Sequence, residues 1–321
     1  MWRCLTLNRA LKPLLQIPKI RTCRYAAPNC SDVECANPQA TMEDRFLPDG
    51  TLVLPVHHDL LTTPDRMIET ALRELAEYRP DLIYSDPTHL AFLVRSARRL
   101  GVADPIPAGA AIVLTFSFAT RVALRDIRGA AGSGNPIATA ISMSEFGYLG
   151  MECDCGTLHL NDSDFYLELL PAGESAADGE PLLELAVTSV GDRLCPHVRY
   201  LTGDLYRLAG GCSCGTGMPG VGLEGRRKDS LVRGDGRLVT PSALDSAVGA
   251  RPWIDVYQIG PRGSGEYDFR FIGDPAAADR EDEDRLRGEL QALLEKPVRL
   301  GRATYLPAAR GGKFMTVRTG R

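Results

Sequence analysis

The sequence predicts an α/β protein: a layered body with a mixed sheet and an antiparallel subdomain, followed by a small C-terminal α+β domain. Three observations carry this. Strand-like and helix-like segments alternate as far as Gly147; short alternating runs between turn residues then take over; and beyond Gly225 strands and helices mix again to the end of the chain.

The first section opens with a Pro- and Asp-rich stretch, residues 28–62, holding one apolar strand at 51–56. Pro64 behind Thr63, with Met67, Ala71, Leu72, Leu75 and Ala76 at helical spacing, predicts a helix to about Tyr78. A strand at 82–84 follows. Asp86 or Thr88 can cap a second helix that Gly101 stops. A strand at 111–118, a helix at 120–128 and a strand at 137–142 continue the alternation, which implies a largely parallel sheet.

The later sections read differently. Strands at 157–160, 165–170, 182–190 and 197–201, with turns at Ala172-Gly173 and Gly191-Asp192, suggest an antiparallel sheet or small barrel. The last section begins with a hairpin about Gly234-Asp235-Gly236. A helix at 242–248, strands at 254–259 and 267–272, and a helix at 279–295 with an acidic first turn complete it.

Composition excludes several functions. A net charge of −4 offers no basic field for nucleic acid or an anionic membrane, so no nucleic-acid partner is expected. The longest apolar runs, such as 110–118, are too short to span a bilayer, and a cytoplasmic location is expected. Residues 1–27 form a basic tail, with Arg3, Arg9, Lys12, Lys19, Arg21 and Arg24 and no acidic residue. The tail resembles a mitochondrial presequence in composition and is expected to be disordered, outside the fold.

Nine cysteines, an odd count without a secretory signal, do not suggest a disulfide framework. Local spacing points to metal. Cys153, six residues before His159, and Cys212-Ser-Cys214 supply three thiolates and one imidazole, a closed tetrahedral set for structural Zn²⁺; Cys155 and Cys195 compete with Cys153 for the first position.

The stretch 200–241 gathers the remaining signals: Thr202-Gly203-Asp204 at the end of a strand, the Cys-Ser-Cys knuckle, and Gly225-Arg226-Arg227-Lys228-Asp229. Together with Ser142-Met143-Ser144-Glu145 and Gly311-Gly312-Lys313, it resembles the adenylate-forming superfamily, specifically proteins of the phenylacetate–coenzyme A ligase type. The resemblance covers about residues 28–321, as a partial large adenylation domain at 28–225 and a small lid domain at 226–321.

The resemblance implies roles residue by residue. Asp204 would hold the ribose hydroxyls of ATP, Arg226 would contact the nucleotide, and Lys228 would be the hinge about which the lid domain rotates. Ser144 would contact phosphate and Glu145 would hold Mg²⁺, whereas Ile141 and Ser142 stand where the family has an aromatic residue and glycine. Lys313 would reach the α-phosphate and the attacking carboxylate. Some members carry a Cys/His set like the one here.

The implied activity is ATP-dependent conversion of a small carboxylic acid to acyl-AMP, with transfer to coenzyme A. The family's Ser/Thr/Gly-rich phosphate loop should precede the region near residue 40. The first glycine is Gly50, so the chain reads as N-terminally shortened. A homodimer could complete a truncated face. The alternative is a non-catalytic, zinc-stabilised remnant that binds a nucleotide or a partner protein.

Overall fold

The computed structural model describes residues 3–28, 40–192, 194–263, 265–274, 276–277 and 279–318. The chain forms two compact units, Met1–Gly156 with Pro307–Met315, and Thr157–Leu306 with Thr316–Arg321. The division expected at Gly225 and Arg226 is therefore not where the chain separates, and the segment holding Lys313 joins the first unit.

In the first unit, β1 (Thr22–Tyr25), β2 (Leu52–Val53), α1 (Asp65–Tyr78), β3 (Leu82–Ser85), α2 (Pro87–Arg99), β4 (Ala111–Leu114), α3 (Arg121–Ala130), β5 (Ile137–Met143) and β6 (Gly147–Glu152) follow one another. The strands lie in the order β2-β1-β3-β4-β5-β6, parallel through β5, with β6 antiparallel to β5. The mixed sheet expected from the alternation is present. Asp86 caps α2 through Thr88 N and His89 N, and Thr120 caps α3. The cap of α1 differs: Pro64 occupies it, and no side chain accepts there.

The helices pack on one face of this sheet through Ile68, Leu72 and Leu75 of α1, Leu90, Leu93 and Val94 of α2, and Ile127 of α3. The other face is covered by the N-terminal segment. Short 3₁₀ turns at Cys4–Leu7 and Lys12–Gln16 bury Cys4, Leu5, Leu11 and Leu14 against Val113, Ala138 and Met151. Asn8 Nδ2 donates to Glu152 O at 2.9 Å. The expectation of a disordered tail over residues 1–27 is corrected: from Arg3 onward it is part of the fold, and β1 is an interior strand between β2 and β3. Arg9, Lys12, Lys19 and Arg21 face solvent while Leu11 and Leu14 between them face the sheet, so the basic composition described one side only.

One buried ion pair fastens the first unit. Arg45, 1% exposed, pairs with Glu74 of α1 and donates to Val53 O at 2.6 Å. Arg45→Met is expected to lower unfolding stability by about 3–5 kcal/mol, because it strands the Glu74 charge, while Arg45→Met with Glu74→Leu recovers most of the loss in denaturant titration.

In the second unit, β7 (Leu158–Leu160), β8 (Phe165–Ser175), β9 (Pro181–Ser189), β10 (Tyr200–Leu208) and β11 (Gly220–Arg226) form an antiparallel sheet in the order β7-β11-β10-β9-β8. A 3₁₀ turn, Arg227–Asp229, leads to the hairpin of β12 (Leu231–Val232) and β13 (Leu238–Val239). Then come α4 (Pro241–Val248), β14 (Val256–Arg262), β15 (Glu266–Ile272), α5 (Arg280–Leu294) and β16 (Val298–Arg302), which pairs parallel to β15. Among the described residues no helix is long and apolar enough to cross a membrane.

Candidate active site and metal centre

The Thr202-Gly203-Asp204 stretch lies inside β10, not at a strand end. Pairing with β9 shifts register between Leu201 and Leu205, so these three residues form a bulge. Asp204, 6% exposed, stands opposite Arg226 of β11, and Arg226 Nε meets Asp204 Oδ1 at 3.2 Å. Burial raises the Asp204 carboxyl above its usual range; Arg226 opposes that rise, and Asp229 adds to it. Desolvation likewise raises Asp229, against Lys228 and Arg226.

Two residues that sequence reasoning passed over hold this bulge. Glu184 of β9 accepts from Gly203 N at 3.1 Å with Oε1 and from Arg227 Nη2 at 2.7 Å with Oε2; Arg227 also pairs with Glu174. A carboxylate inside the apolar run Leu182-Leu183-Glu184-Leu185-Ala186 was the available signal. Lys228 is exposed in the turn between β11 and β12. Gly225 just before it has φ of +102°, and a Cβ there would meet the Pro241 ring at 2.5 Å, so the residue must be glycine.

Ser144 and Glu145 are exposed in the turn joining β5 to β6, closed by Phe146 N on Met143 O at 3.3 Å. Ser142 beneath them shares a 2.7 Å hydrogen bond with Thr115. Half-buried Lys313 belongs to a tight loop in which Gly312 N donates to Ala309 O at 2.8 Å and Ala309 N to Lys313 O at 2.9 Å. A Cβ on Gly312 would meet His58 O at 2.8 Å. The loop is thus seated on the backbone after β2, at the carboxyl edge of the first unit's sheet, where ligands of open α/β sheets bind.

The four sulfur and nitrogen ligand atoms of Cys153, His159, Cys212 and Cys214 lie within 4.8 Å of one another. His159, fully buried, turns Nδ1 toward Pro219 O at 3.3 Å and Nε2 toward Cys214 Sγ at 3.3 Å. The carbonyl can only accept, so it assigns the proton to Nδ1 and leaves the Nε2 lone pair facing the sulfurs. Cys153 is buried whereas Cys155 and Cys195 are exposed, which separates it from its two rivals. The donor set, three soft sulfurs and one imidazole, fits a closed zinc site.

The architecture has known counterparts. Over its whole length the chain superimposes on 70% of 2-hydroxyisobutyryl-CoA ligase in the postadenylation state with 2-HIB-AMP, at a TM-score of 0.71 and 16% identity. The fold is that of the adenylate-forming ligases. The anthranilate CoA ligase AuaEII in complex with anthranoyl-AMP matches at a TM-score of 0.61 and 14% identity, over 98% of this chain and 61% of that one. The A domain of carboxylic acid reductase from Segniliparus rugosus, with AMP and a co-purified carboxylic acid, matches at 0.51 and 14%, over 83% and 48%. No protein-family profile and no curated protein matches the chain.

Proposed function

We propose that this chain activates a small carboxylic acid with ATP. A carboxylate oxygen attacks the α-phosphorus, the bond from that phosphorus to the bridging oxygen breaks, and pyrophosphate leaves, giving acyl-AMP. The thiol of coenzyme A then attacks the acyl carbonyl, loses its proton and displaces AMP to give the thioester. The observation that carries this reading is the Asp204–Arg226 pair, a buried carboxylate held in a strand bulge by a cross-strand guanidinium, on a fold whose counterparts hold acyl-AMP.

In this reading Asp204 and Arg226 bind the ribose and phosphate of the nucleotide, and Ser144 contacts phosphate. Glu145 is the one carboxylate in its turn and would hold Mg²⁺, which would offset the negative charge of the nucleotide phosphates. Lys313 stabilises the negative charge that gathers on the α-phosphate, and Lys228 is the hinge. Cys153, His159, Cys212 and Cys214 hold a structural Zn²⁺, which would pin the 210–219 knuckle to β7.

Trapping acyl-adenylates with hydroxylamine across a panel of aryl and alkyl acids tests the reading. ATP-dependent hydroxamate is expected with at least one acid, and Lys313→Ala is expected to reduce it by about a hundredfold or more. No hydroxamate with any acid, or full activity in Lys313→Ala, would overturn it.

A further inference from the structure

Four buried polar atoms at the carboxyl edge of the first unit's sheet lack a hydrogen-bond partner: Tyr25 Oη, Asp86 Oδ2, His89 Nε2 and Ser117 Oγ. They are neighbours. Tyr25 ends β1, Asp86 follows β3, His89 lies in the first turn of α2, and Ser117 follows β4. The Tyr25 and His89 rings stand edge to face at 6.3 Å, and His89 Nδ1 is 3.0 Å from Asp86 Oδ1. Tyr25, Asp86 and His89 are fully buried.

Packing alone does not account for this arrangement. Asp86 Oδ1 already takes Thr88 N, His89 N and His89 Nδ1, so capping and ion pairing are complete on one oxygen, and the Ser117 hydroxyl is the remaining side chain that steadies the carboxylate. A buried polar atom without a partner costs about 1–3 kcal/mol, and here there are four together. Burial alone would raise the Asp86 carboxyl, but His89 and Ser117 hold it below its usual range, so its second oxygen is an acceptor. Phe116, which delivers Ser117, has φ of +75°, a strained value for a bulky residue and one that clusters at ligand sites. Residues 116–119 are half-buried, so the cluster lies one residue beneath the surface.

We propose that Tyr25, Asp86, His89 and Ser117 receive a hydroxyl or amino substituent of the acyl substrate, which makes the substrate class hydroxy- or amino-substituted carboxylic acids. The donor set selects such a group. Asp86 Oδ2 can only accept and the tyrosine and serine hydroxyls can both donate and accept, so a hydroxyl or amino group finds partners here and an alkyl group finds none. The Lys313 loop, seated near Ala27 and Pro28 just past β1, lies at the same edge of the sheet, so the substrate carboxylate would face the ammonium with its substituent turned toward Tyr25. This assignment rests on the acid-activating reading above.

The test compares matched acids in the full chain: hydroxybenzoates and aminobenzoates against benzoate, and hydroxyalkanoates against the parent alkanoates. Hydroxamate formation is expected to favour one substituted acid by about a hundredfold or more in kcat/KM, since a site built to bond a hydroxyl rejects the analogue lacking it. The ratio should fall below about tenfold in Tyr25→Phe and in Ser117→Ala, which remove one oxygen each. A preference for unsubstituted acids, or a ratio unchanged in both variants, would overturn the proposal. Calorimetric binding of the same pairs to the resting protein separates the two readings. Selective binding without hydroxamate removes the catalytic reading and keeps the pocket; hydroxamate without selectivity removes the pocket alone; neither binding nor hydroxamate removes both.

Discussion

A chain lacking residues 1–25 is expected to be recovered unfolded or aggregated, without the cooperative thermal transition of the full chain in circular dichroism. The deletion removes β1 from between β2 and β3 and takes Leu5, Leu11, Leu14, Cys4, Cys23 and Tyr25 out of the core. Each large apolar side chain buried there contributes about 1.5–3 kcal/mol, so their sum approaches the whole stability of an ordinary domain, about 5–15 kcal/mol. Leu5→Ala alone should cost about 2–5 kcal/mol. A truncated chain that melts cooperatively at the full chain's temperature would show that the segment is dispensable.

Removing zinc should have the second large effect. Purified protein is expected to carry about one zinc per chain by elemental analysis, and Cys214→Ser to carry none. Free energies of structural zinc sites run to about 10 kcal/mol in small domains, so loss of even half of that would lower the melting temperature by about 10–20 °C. The change should begin locally, as new protease cleavage in 209–219, because the knuckle there lies outside the strands, between β10 and β11. Folded protein that contains no zinc and is indifferent to a strong chelator would remove the metal from the reading.

Much of this architecture was legible because the signals were local. The start of α2 is legible in Asp86 and Thr88, either of which can cap it, since an N-cap is a property of two or three adjacent residues. The hairpin about Gly234-Asp235-Gly236 and the acidic start of α5 were legible for the same reason. The Cys/His quartet rests on two short spacings in the sequence, and the fold places its four ligand atoms within 4.8 Å of one another. What failed depended on long-range register. Thr202-Gly203-Asp204 looks like a strand end because glycine breaks the apolar pattern, yet the break is a bulge made possible by β9 on one side and β11 on the other. Glu184 and Arg227 meet across 43 positions, and nothing in either neighbourhood names the other. Residues 3–25 were misjudged because the arginines and lysines of the segment dominate its composition, while its fate is decided by the leucines. Asp86 is one of two cap candidates in the sequence, and its place beside Tyr25, His89 and Ser117 is visible only in three dimensions.

The seating of the Lys313 loop on the backbone of His58 bears on how the protein is made. The first unit includes residues 307–315, which are translated only after the 157–306 stretch of the second unit. Its sheet and helices can assemble during synthesis, but the piece that covers the carboxyl edge arrives only after the whole intervening unit has been translated. Until then the edge that would hold ATP and the acid lacks its lysine, so a nascent or prematurely terminated chain would present that edge without being able to perform the first step.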